Sequence, residues 1–144
     1  MAFSDNFLTK IIYLPNELTD IIFSYIPTSI SVFLNKANYI KYHKSIKKYI
    51  NKGNIENYIR CMVRQDNDFV LKQLLNENFN LWINMKKYYY KTCIYTDYIS
   101  FIESYAIDNE STKCKQAIYD FFKELGLSKN QHKKNICKYI RWKT

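Results

Sequence analysis

The chain has 144 residues, 47% of them hydrophobic, which suits one domain or a small module with a helical body and excludes an intrinsically disordered protein. Two glycines and two prolines beside 14 tyrosines and 9 phenylalanines exclude a turn-rich sandwich and any glycine-rich phosphate loop, and they favour a helical protein. The net charge of +9 excludes less, because Arg60, Arg64 and Arg141 are its only arginines and phosphate recognition favours the guanidinium fork.

Residues 1–12 form a short lead with Phe3, Phe7, Leu8, Ile11 and Ile12 as its apolar anchors. A first helix is predicted from about Asn16 to Ile26, set between Pro15 and Pro27. Pro15 has its φ preset for a helix start, Glu17 complements the helix dipole, and Leu18, Ile21, Ile22, Tyr25 and Ile26 recur at helical spacing. Pro27 stops it, since the residue before a proline avoids helical geometry. Thr28 or Ser29 can cap a second helix carrying Ile30, Phe33, Leu34 and Ala37. A third stretch holds Tyr39, Ile40, Ile46, Tyr49 and Ile50 among six lysines, from Lys36 to Lys52, with no acidic residue between them. Asn51-Lys52-Gly53-Asn54 is the clearest break, and it divides a unit at 1–52 from a body at 53–144.

In the body, Ile55 to Arg64 and Phe69 to Leu75 read as helices around a polar turn, with Asp66 or Asn67 as the cap. Lys86 to Lys91, with its three consecutive tyrosines, fits a strand as well as a helix. Thr96 can cap a helix through Ala106, and Ala117 to Leu125 forms the next, closed by Gly126 in a Schellman ending. Ser128 to Gln131 fits a capping box for a basic final helix with Ile136, Cys137 and Ile140. Neither the Thr-Pro-Leu-His signature nor a fixed period is present, so the body is read as one packed helical unit and not as a repeat array.

The order Leu14-Pro15-Asn16-Glu17-Leu18, then Ile21-Ile22-Phe23-Ser24-Tyr25-Ile26-Pro27, resembles the opening of an F-box. The likeness covers roughly residues 12 to 50; the tryptophan that ends a typical F-box is absent. Leu34-Asn35-Lys36, followed by Tyr42-His43, is closer to the divergent F-box-like modules of large DNA viruses of protists. The resemblance implies a three-helix F-box-like module, and with the helical-hairpin body read from the spacing beyond it the expected fold is all-α. It implies a non-enzymatic substrate receptor that links an unknown target to a cullin-based ubiquitin ligase through a Skp-family adaptor. Carried over by position, the adaptor-binding residues would be Leu14, Pro15, Leu18, Ile22, Ile26 and Leu34. The location implied is a host's cytoplasm if the chain is viral.

Little else in the sequence points to chemistry. His43 and His132 each stand among lysines, and the carboxylate pairs fall at turns, so neither a general base nor a metal ligand is expected. Cys61, Cys93, Cys114 and Cys137 form no C-x-x-C pair and read as core thiols of a reducing compartment, so no cofactor or metal is expected. With no secretory leader and no apolar run of membrane-spanning length, a soluble intracellular protein is expected. The alternative function is a basic virion-associated or nucleic-acid-binding protein, with Lys133, Lys134, Lys138 and Arg141 on phosphates and Trp142 stacking on a base.

Overall fold

Pro15 and Pro27 each stand one residue ahead of a helix, where the fixed φ of the ring suits the N-cap position and leaves the carbonyl free to accept. The Pro15 carbonyl accepts from the amides of Leu18 and Thr19, and the Pro27 carbonyl from those of Ile30 and Ser31. The structure, a computed structural model, describes residues 14–50, 54–127 and 136–139. The chain is all-α in class, and it divides into two units, Met1–Lys52 and Gly53–Thr144.

The first unit contains α1 (Asn16–Ser24), the single turn α2 (Thr28–Ser31), α3 (Lys36–Tyr42), a 3-10 turn (His43–Ser45) and α4 (Ile46–Tyr49). Its second cap differs from expectation. Pro27 holds the cap position and Thr28 falls inside the turn, because the proline carbonyl already accepts the first helical bonds. Asn35 caps α3 through its side chain, which accepts from the amide of Asn38 at 2.7 Å, and Asn38 Nδ2 reaches back to the Ser31 carbonyl at 3.1 Å. Only Val32, Tyr39 and Ile46 are buried among the described residues of this unit.

The second unit contains α5 (Ile55–Arg64), α6 (Asp68–Asn84), β1 (Lys86–Tyr90), β2 (Cys93–Asp97), α7 (Tyr98–Asp108), α8 (Thr112–Glu124) and β3 (Ile136–Tyr139). The most buried helix, α7, packs against α5, α6, α8, β1 and β2, burying Tyr98, Ile99, Phe101, Ile102 and Ala106. Leu71, Leu74 and Leu75 of α6, Cys114, Ile118 and Phe122 of α8, and Ile59 and Val63 of α5 are buried in the same core. Burial and the neighbouring Asp66 carboxylate push the Cys114 thiol up to about 12, so it stays protonated and inert.

The tyrosine-rich stretch is a strand. Tyr88 and Tyr90 turn inward and Tyr89 outward, the two-residue period of a half-buried strand. Their rings meet the helical row of α7: Tyr88 lies 4.7 Å from Tyr98 and 4.8 Å from Phe101, and Tyr90 lies 4.7 Å from Phe101. A two-residue turn joins β1 to β2, and Lys91 takes the left-handed φ of 52° that a primed turn requires.

The expected basic C-terminal helix is corrected as well. Ile136–Tyr139 is a strand, antiparallel to β2 in a three-stranded sheet of order β1-β2-β3. Four residues, Ile-Cys-Lys-Tyr, are too few to separate the two periods, and here pairing with β2 settles it. Among the described residues the body therefore adds a small sheet to its four helices. The proposed capping box at Ser128 to Gln131 lies outside the described residues.

Three helices end in the same way. In each, a residue with left-handed φ follows the cap, and two amides bond back in the paired Schellman pattern. Gly126 ends α8 at a φ of 68°, as expected, with Leu127 N–H donating to Phe122 O at 2.9 Å and Gly126 N–H to Lys123 O at 3.0 Å. Asp66 ends α5 and Glu110 ends α7 in the glycine-favouring position, at φ of 51° and 57°.

Asp66 has a second task. Its carboxylate accepts from the amides of Cys114 at 2.8 Å and Lys113 at 3.2 Å, capping α8 from 47 residues away in sequence. Ser111, in the N-cap position of α8, makes no cap bond; its hydroxyl donates to the Val63 carbonyl at 2.7 Å. The end of α5 and the start of α8 thus satisfy each other. At the neighbouring helices Asn67 caps α6, and Asp97, not Thr96, caps α7 by accepting from Ser100 N–H at 2.8 Å.

Candidate docking surface

The surface begins in α1, whose apolar residues divide into two stripes. Thr19, Ile22 and Ile26, spaced i, i+3, i+7, are half-buried on the inward side. Leu18, Ile21 and Tyr25 have the same spacing one position earlier and are exposed, Tyr25 to 82%. No residue of α1 is buried. A core-facing helix normally carries one apolar stripe ~100° wide, and α1 carries more than its own unit covers.

The exposed set continues past Pro27. Ile30, Phe33 and Leu34 are exposed around α2 and its exit, and Ile40 and Tyr49 on α3 and α4. The candidate adaptor-binding residues fall on both sides of this division. Pro15, Leu18 and Leu34 are exposed, whereas Leu14, Ile22 and Ile26 are half-buried. Ile21, Tyr25, Ile30 and Phe33 add to the surface, although their helical spacing alone assigns them to a core. The excess width of the apolar face of α1 is the sequence signal that marks them as more than core.

The inward side of α3, the 3-10 turn and α4 carries buried side chains. Tyr39 and Ile46 are buried, and His43 stacks on Tyr39 with ring centroids 5.5 Å apart. Its Nδ1 lies 2.9 Å from the Tyr39 carbonyl and 2.8 Å from that of Ile40, so the ring donates from that nitrogen to the backbone. His43 is therefore half-buried and structural, not a solvated member of a lysine cluster.

The second unit offers two polar features. Glu56 Oε2 accepts from the Tyr88 hydroxyl at 2.7 Å and lies 3.5 Å from Arg60 Nη1, and the Arg60 guanidinium sits 5.3 Å from the Tyr90 ring centre. Burial, then Glu56, pushes the Tyr88 hydroxyl well above the usual tyrosine range. This cluster ties α5 to β1. A shallow cleft between α6 and α8 is lined by Lys72, Gln73, Asn76, Asp120, Phe121 and Lys123, with charges of both signs. Neither places a nucleophile beside a base, and no group of three or more His, Cys, Asp or Glu residues converges among the described residues. No helix among them is long and apolar enough to cross a membrane.

Of the candidate nucleic-acid-binding residues, Lys133, Lys134, Arg141 and Trp142 lie outside the described residues, and Lys138 belongs to β3. No family model, curated protein or solved structure matches this chain, so the reading of the surface rests on its own chemistry.

Proposed function

We propose that Met1–Lys52 is an F-box-like docking module that holds a Skp-family adaptor, while the body presents a target protein to a cullin-based ligase. The observation that carries this reading is the outward stripe of Leu18, Ile21 and Tyr25, continued by Ile30, Phe33 and Leu34. A monomer seldom leaves so many large apolar side chains of one short segment in water, and an i, i+3, i+7 row on a helix matches a partner's groove or helix pair. The helix that carries the stripe follows directly on the Leu14-Pro15 step with which the resemblance to the F-box opening begins. The role needs no catalytic group in this chain, and it sets the protein in the cytoplasm, a host's where the chain is viral.

The test is capture of purified Skp-family adaptor by the full chain, alongside Leu18→Ala and Ile21→Ala. Wild type is expected to bind. A buried apolar anchor in an interface should cost on the order of 2 kcal/mol when truncated, with the fold unchanged. Absence of wild-type binding ends the reading.

A further inference from the structure

The outward side of α3 and α4 differs in charge from α1. Between residues 14 and 35 the only charged side chains are Glu17 and Asp20; between 36 and 50 there are five lysines and no carboxylate. Lys41, Lys44 and Lys48 are exposed and follow one another at i, i+3, i+7, opposite the inward row of Tyr39, His43 and Ile46. Exposed Ile40 and Tyr49 are their neighbours in sequence, so this stretch presents apolar side chains together with a row of cations.

We infer that the partner of this unit presents to α3 and α4 an apolar protein surface bordered by carboxylates, and to α1 a surface without them. The inference rests on the docking reading and names the chemistry of the surface that would fit it. Charge complementarity selects a carboxylate-bearing partner over a phosphate-bearing one. A nucleic-acid backbone or an anionic lipid plane spreads uniform negative charge and suits a unit whose exposed charges are all basic, whereas this one also carries exposed Glu17 and Asp20. A protein surface can be acidic at one end only. Lysine also suits single, salt-sensitive ion pairs at the rim of an interface, whereas phosphate recognition draws on the arginine fork.

The experiment titrates the full chain with purified Skp-family adaptor at low and high salt and compares three variants. K41E/K44E/K48E should slow association by about tenfold or more at low salt and flatten its salt dependence, because rim charges act mainly on encounter. K41Q/K44Q/K48Q should give a smaller loss of the same kind, and it guards against repulsion introduced by the reversals. E17K/D20K should bind no more weakly than wild type. All of these side chains are exposed, and thermal melting of each variant verifies the fold.

If both lysine variants bind within twofold of wild type while Leu18→Ala weakens binding, the charge inference falls and the docking reading stands. If E17K/D20K weakens binding as much as the lysine reversal, the one-sided charge pattern is wrong. If wild type captures duplex DNA or anionic vesicles at physiological salt and no adaptor, both readings fall.

Discussion

Two regions of this chain treat the same residue types in opposite ways. Residues 54–127 place Leu71, Leu75, Ile99, Phe101, Ile102 and Ile118 in a core that admits almost no solvent. Residues 14–50, richer still in Ile, Leu, Phe and Tyr, bury only Val32, Tyr39 and Ile46 among those described and leave Ile21, Tyr25, Ile30, Phe33 and Ile40 in water. Hydrophobic composition therefore says nothing about where the apolar surface goes. The body encloses most of it with its own helices and sheet, leaving Leu81, Tyr89, Ile107 and Tyr119 at the surface, and the first unit leaves most of it exposed.

The sharpest way to break this contrast is by truncation. Leu75→Ala should cost about 2–5 kcal/mol, because it empties a fully enclosed site in α6 between packed helices. Leu18→Ala should move stability by no more than about 0.5 kcal/mol, since its side chain already meets solvent. Paired denaturant melts of the full chain measure both. A large loss from Leu18→Ala would show that the exposed stripe supports its own fold, and the comparison would fail.

The body's interior is not uniformly satisfied. The Tyr98 hydroxyl is buried without a hydrogen-bond partner among the described residues, and burial drives its titration far above the normal range. Tyr98→Phe keeps the ring packed on Trp82 and Tyr88 and removes the orphaned group. It should raise stability by about 1 kcal/mol, read from the shift of the melting midpoint. A loss of similar size would mean that the hydroxyl has a partner outside the described residues.

The smallest effect concerns the junction of α5 with α8. The amides of Cys114 and then Lys113 hold the Asp66 carboxyl below its ordinary value of 3.8. A depressed carboxyl contributes stability that is present above the unfolded value and is lost as pH falls through the folded one. Asp66→Asn keeps the left-handed backbone and one acceptor oxygen but removes the charge. Its deficit against wild type should be constant near neutrality and close as pH drops below 3.8, followed by melts across the acid range. A deficit that persists unchanged in acid would show that charge plays no part in the cap.

Much of the helical layout was legible in the sequence because it rests on neighbouring residues. Pro15, Asn67 and Gly126 act at the ends they mark, since capping and left-handed closure involve atoms within one helical turn. The structure corrected 136–139, where four residues could pair with a strand or coil as a helix and distant β2 made the choice. The long-range cap by Asp66 was also hidden, because its amide partners lie 47 and 48 positions away. At the candidate surface, the sequence marked Pro15, Leu18 and Leu34. It did not separate outward Ile21 and Tyr25 from inward Ile22 and Ile26, because adjacent helical rows share one apolar pattern.

By itself, then, the sequence determined that this chain folds as helices, where several of them stop, and that its lysines gather after residue 35. Only the tertiary structure decided which apolar rows are enclosed and which remain bare. Periodicity sets the direction of a side chain around its own helix, and burial depends on what stands opposite it.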